Sequence, residues 1–88
     1  MKTFPLVISS PDGDIFRGEA YALSLRGVEG DLAIMAGHIP FITAVKSGTV
    51  KVELEDEDKI GKTDGGILNV SGNTVTLLSG SFTWIENE

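Results

Sequence analysis

The chain has 88 residues, which suits one domain (1–88), and no cysteine, so no disulfide supports its core. Its net charge of −6 disfavours nucleic acid and anionic lipid, whose phosphates would be repelled. It has no run of 18 apolar residues for a membrane span, and the N-terminus is too short and broken for a signal peptide.

Apolar residues make up 41%, enough for a core and too many for disorder. A chain this small still buries only about 60–65% of its unfolded surface. It therefore needs a well-filled core or a partner. Absence of cysteine suits a cytosolic address, and any membrane association would run through another subunit.

Taken in chain order, every segment reads as strand plus turn. Phe4, Leu6 and Ile8 alternate with Val7 and Ser9 in a first strand. Pro5, near its start, suits an edge or strand-initial position. Pro11-Asp12-Gly13-Asp14 is a turn cluster. A long alternating run follows, with Tyr21, Leu23 and Leu25 on one face and Ala20, Ala22, Ser24 and Arg26 on the other. Gly27 to Gly30 breaks it. Leu32-Ala33-Ile34-Met35 is a short apolar strand, Gly37-His38-Ile39-Pro40 a second break, and Phe41 to Val45 extended again.

From Gly48 the pattern is a meander. Val50, Val52 and Leu54 point inward, and Lys51 and Glu53 face water. Glu55 to Asp58 is an acidic turn, and Ile60 marks a returning strand. Asp64-Gly65-Gly66 carries hairpin chemistry. Leu68 and Val70 alternate, Gly72-Asn73 turns, Val75 and Leu77 alternate, and Phe82-Thr83-Trp84-Ile85 closes the chain. No long segment shows a helical stripe. The expected fold is an all-β, flattened antiparallel β-sandwich of about ten short strands in two sheets. Leu23, Leu25, Val50, Val52, Val70, Val75 and Leu77 are its expected core.

Chemistry-bearing motifs are few. His38 lacks a legible nucleophile or acid partner, and beside Gly37 and before Pro40 it reads as a turn residue bonding the backbone. One histidine and no cysteine make a poor zinc set. Asp12-Gly13-Asp14 and the acids between Glu53 and Asp58 do not match a calcium loop, and no phosphate-binding glycine motif occurs. No catalytic residue, metal or cofactor is expected. Glu29-Gly30-Asp31 stands out, because two carboxylates on a tight turn repel unless solvated or met by cations.

The ordered set Glu29-Gly30-Asp31, Gly37-His38-Ile39-Pro40, Thr43-Ala44-Val45-Lys46-Ser47-Gly48 and Gly65-Gly66 resembles the epsilon subunit of the rotary F-type ATP synthase. The likeness runs from about Phe4 to Ile85. It implies a ten-stranded β-sandwich seated on the gamma subunit, with one end at the membrane c-ring. It implies a non-catalytic stalk subunit on the cytoplasmic face of the bacterial plasma membrane, coupling proton flow to ATP synthesis without a small-molecule ligand. By position, Glu29, Gly30 and Asp31 resemble the loop facing the c-ring, and His38, Ile42 and Thr43 the surface near gamma and the ring. Leu78 and Ile42, if outward, would help bury gamma.

Two positions depart from the family pattern: Ala36 stands where a proline usually precedes the Gly-His pair, and Asn69 replaces a commoner glutamate. Typical members continue into a C-terminal helical hairpin, whereas this chain stops at Glu88. The chain reads either as a naturally short subunit, which Met1 favours, or as one domain of a longer one. Without the hairpin or a phosphate loop, this stretch is expected neither to bind ATP tightly nor to inhibit hydrolysis through an inserted helix. The alternative is a free-standing β-sandwich module binding a ligand or peptide. Such a module would display exposed aromatic side chains.

Overall fold

A computed structural model describes residues 2–85. Ten strands follow one another: β1 (Phe4–Ser10), β2 (Gly13–Ala20), β3 (Ala22–Gly27), β4 (Gly30–Met35), β5 (Phe41–Val45), β6 (Gly48–Glu53), β7 (Asp58–Thr63), β8 (Gly66–Val70), β9 (Val75–Ser79) and β10 (Phe82–Ile85). The strands are four to eight residues long, as alternation interrupted by glycine and acidic turns dictates.

Hydrogen bonding links them in the order β10-β7-β6-β3-β5-β8-β9-β1-β2, with β4 on the other edge of β3. The two halves of this path face each other. They are joined where Gly27 of β3 meets Val45 of β5, the only pair between those strands. β3 pairs with β6 through Ala22, Leu23 and Ser24 and then leaves it for β5. That change of partner turns one path into a two-layer sandwich measuring 29 × 27 × 25 Å.

Period-two alternation puts one side of each layer inside. Leu6 and Ile8 of β1, Leu23 and Leu25 of β3, and Val50 and Val52 of β6 are buried. Leu68 and Val70 of β8 and Val75 and Leu77 of β9 complete the centre. All seven expected core residues are among these buried side chains, and Leu54 packs against them from the rim. Fully burying an aliphatic side chain contributes about 1.5–3 kcal/mol, so this cluster is the main source of stability.

Four details differ from the sequence reading. The run through residues 20–26 is two strands, broken at Tyr21, whose N–H donates to Glu53 O at 2.8 Å. Ala20 and Ala22 are buried, not on a solvent face. The break resets the alternation, so Ala20 closes β2 opposite Phe4 of β1, and Ala22 opens β3 between Met35 of β4 and Glu53 of β6. β1 and β9 run parallel, which no short turn forbids because they are distant in sequence.

The fourth difference concerns Asp64-Gly65-Gly66, which is not a hairpin. β7 pairs with β6 and β10, and β8 with β5 and β9, so this segment crosses between layers. Gly65 takes φ +115°, as such a sharp crossing requires. A second crossing, Ser79 to Phe82, lies against it. Asp64 Oδ1 accepts the Ser81 N–H at 2.9 Å, and Ser81 O accepts the Asp64 N–H at 3.1 Å. Below them the buried hydroxyls of Thr63 and Ser79 lie 2.5 Å apart, and Ser79 Oγ donates to Ser81 O. The two buried hydroxyls of this corner both have partners, as their burial requires.

Candidate functional site

The β3–β4 hairpin closes on Gly27 opposite Gly30, so its two-residue tip is Val28-Glu29. Gly30 adopts φ +134° and bends the chain into β4. Asp31 is therefore not a turn residue. It is the second residue of β4, directly across from Arg26, whose Nε lies 3.4 Å from Asp31 Oδ1. The expected mutual repulsion of Glu29 and Asp31 is eased by this cation. Both partners of the pair are largely exposed, so it contributes little, about 0–1 kcal/mol.

Beside the tip runs β5. Gly27, Glu29, Gly30, Asp31 and Leu32 from the hairpin, with Phe41, Ile42 and Thr43 from β5, line a groove of about 430 Å³. Five of the six residues singled out from the sequence thus share one groove: Glu29, Gly30, Asp31, Ile42 and Thr43. Its rim is acidic. Its floor is apolar, because Leu32 and Phe41 lean on the core.

His38 does not line it. The His38 ring packs edge-on against Phe4 with centroids 5.7 Å apart, and Nδ1 donates to the Met35 carbonyl oxygen. A carbonyl oxygen can only accept, so the bond places a proton on Nδ1. Nε2 is buried without a partner among the described residues. His38 secures the β4–β5 connection through its bond to the backbone.

The outer face of β5, β8 and β9 carries the second feature. Ala44, Ile67 and Leu78 lie in one cross-strand row. Ile42 stands two residues along β5 from Ala44, on the same face. Ile42, Ile67 and Leu78 are 69%, 49% and 50% exposed. Isolated exposed aliphatics are ordinary, whereas these three share one face of the sheet as an apolar patch. Ile42 belongs to both this row and the acidic groove, so the two features are continuous. Ile67 was missed in the sequence, although its alternation with buried Leu68 places it outside. Val28, Met35 and Ile39 around the hairpin are also exposed, and no periodic signal marks them.

The aromatic residues form no open platform. Phe82, Trp84 and Phe16 stack edge to face, and Lys59 Nζ sits 4.4 Å from the Trp84 ring centre. Among the described residues, no three histidine or carboxylate side chains converge as a metal site would require.

Comparison with known proteins matches residues 3–85 to the family described as ATP synthase, Delta/Epsilon chain, beta-sandwich domain. ATP synthase epsilon chain 2 of Photobacterium profundum is 39% identical over 79 residues, covering 88% of this chain and 54% of that one. The ATP synthase epsilon chain of Bacillus velezensis is 34% identical, covering 90% of this chain and 60% of that one. The chain thus spans little more than half the length of these relatives.

Similar folds occur in two solved assemblies. A chain of the Euglena gracilis mitochondrial ATP synthase OSCP/F1/c-ring superposes with a TM-score of 0.87 at 21% identity, over 93% of this chain and 53% of that one. A chain of the Tetrahymena thermophila mitochondrial ATP synthase central stalk/c-ring gives 0.81 at 12% identity, over 93% and 66%. At those identities the likeness is one of fold. The family match over nearly all described residues, with two relatives above 30% identity, is what assigns the chain: it belongs to the ATP synthase delta/epsilon family, as that family's β-sandwich domain.

Proposed function

We propose that this chain is a non-catalytic central-stalk subunit of a proton-translocating F-type ATP synthase. In this reading it docks on the gamma subunit through the Ile42, Ile67 and Leu78 face. It meets the c-ring through the acidic hairpin end at Glu29, Gly30 and Asp31. It sits on the cytoplasmic face of a bacterial plasma membrane, held there by the complex. Its work is mechanical. A sandwich with a buried aliphatic core resists shear, and two joined contact surfaces spread torque between ring and stalk.

The observation that carries the proposal is the continuity at Ile42. An apolar face suited to a permanent partner runs directly into an acidic groove suited to polar, cation-bearing loops.

The test is assembly with gamma. The two proteins should co-elute on size exclusion at micromolar concentration. Excess gamma should raise the melting temperature of this chain, because a partner selective for the folded state stabilises it by mass action. Separate elution with no thermal shift would reject the proposal.

A further inference from the structure

Among the described residues three strands, β2, β4 and β10, have a partner strand on one edge only, and their free edges are not equally protected. β2 carries Asp14, Arg17 and Glu19 along its length. β10 is four residues long, with Lys59 over its Trp84. β4, Gly30-Asp31-Leu32-Ala33-Ile34-Met35, has one charge, at its second residue, and no proline or bulge. Unguarded edges template pairing with other chains unless something covers them.

The direction of the free groups follows from printed neighbours. Val28 N–H donates to Ala44 O at 3.2 Å, and Lys46 N–H donates to Arg26 O at 2.9 Å. The Arg26 backbone therefore points toward β5, and the Gly27 backbone toward β4. By antiparallel alternation, the residues opposite Arg26 and Ser24, namely Asp31 and Ala33, turn N–H and C=O away from β3, as does Met35. No other strand pairs with β4. His38 Nδ1–H caps the Met35 carbonyl and ends the open row there. Asp31 and Ala33, with the Met35 N–H, remain as a short open ladder whose start lies at the acidic groove.

We infer that β4 is a strand-addition edge, taken in the assembly by an extended, basic segment of the neighbouring stalk subunit. This rests on the stalk reading given above and adds a main-chain contact to it. Charge selects the occupant. Glu29 and Asp31 flank the open end, and Arg26 is the one cation paired there, at 3.4 Å. A strand carrying lysine or arginine beside Asp31 completes that balance. A second copy would bring another −6 and its own Glu29 and Asp31 to the contact, which charge repulsion disfavours.

The experiment is amide hydrogen exchange on the chain alone and in complex with purified gamma subunit. The expected result is at least tenfold slower exchange at Asp31, Ala33 and Met35 in the complex. Ala33→Pro, which removes one outward donor without touching the β3 ladder, should weaken gamma binding at least tenfold. If that variant does not fold, the exchange of the unaltered chain decides. A complex that forms with these three amides exchanging as in the free chain overturns the edge inference and leaves the stalk reading standing. Absence of any complex overturns both. Protection of the same amides in a dimer of this chain, without gamma, overturns the choice of occupant.

Discussion

A methyl group built on Gly66 would lie 2.0 Å from the carbonyl oxygen of Leu78. Gly66 opens β8 immediately after the crossing from β7, opposite Ser79, and it lets the backbone of β9, its neighbour in the same layer, come close. No rotamer relieves a clash between a Cβ and a main-chain carbonyl.

Gly66→Ala should therefore destabilise the fold by about 1–3 kcal/mol, the usual range of overpacking. Urea unfolding followed by circular dichroism measures this. Gly72→Ala is the control, since a Cβ there meets nothing within 4 Å. It should shift stability by less than about 0.5 kcal/mol. Equal midpoints for the two variants would show that the close approach is not needed.

Asp14 supplies a pH dependence. Its carboxylate accepts the Ser9 hydroxyl at 2.5 Å and the Arg17 guanidinium at 2.7 Å. The hydroxyl bond first, then the guanidinium, hold its pKa below the usual carboxylate value. A carboxyl with a depressed folded-state pKa adds stability above its unfolded pKa. That stability disappears as pH falls through the folded value. Comparing the native chain with Asp14→Asn from pH 7 down to pH 2, the native chain should be the more stable near neutrality. The difference should shrink to nothing in the acid range. Because the site is exposed, added salt should reduce the difference as well.

The sequence revealed the strands because alternation and glycine spacing are local signals. Val50-Lys51-Val52 and Leu68-Asn69-Val70 could be assigned from their own side chains. The crossing at Asp64-Gly65-Gly66 could not. Its glycines suit a hairpin equally well, and only the distant pairings of β7 with β10 and β8 with β9 decide the matter. Asp31 shows the same limit at the site. Glu29-Gly30-Asp31 reads as one turn, and the hairpin register moves Asp31 across from Arg26. The groove joining Glu29 to Ile42 and Thr43 depends on β5 passing the hairpin tip, which no local pattern records.

Ile67 tests the apolar face. It is half exposed between Ala44 and Leu78, away from the core, so Ile67→Glu should change stability by less than about 0.5 kcal/mol. Binding to gamma should weaken at least tenfold, about 1.4 kcal/mol. Calorimetric titration of gamma with each form measures it. Unchanged affinity would move the gamma contact off this face.

Asp31 separates the two proposed surfaces. Its carboxylate is exposed, reaches only Arg26, and stands on the rim of the groove and not in the core. Asp31→Lys should therefore leave the isolated chain folded, with a melting temperature within a few degrees of the original. Facing Arg26, the new lysine turns an acidic rim into a repulsive one for cation-bearing loops. Each exposed contact is weak, about 0–1 kcal/mol, but a ring repeats its loops and several are met together. Coupling of proton flow to ATP synthesis in membranes should fall, while binding to gamma in solution, carried chiefly by Ile42, Ile67 and Leu78 and by the β4 main chain, should lose no more than one exposed charge contact, about 0–1 kcal/mol. High salt should weaken the ring contact of the unaltered chain in the same direction, since the Debye length drops to about 3 Å at 1 M. Unfolding of the Asp31→Lys chain would make the residue structural. Full coupling with a folded variant would make the hairpin tip a solvated corner with no part in the ring contact.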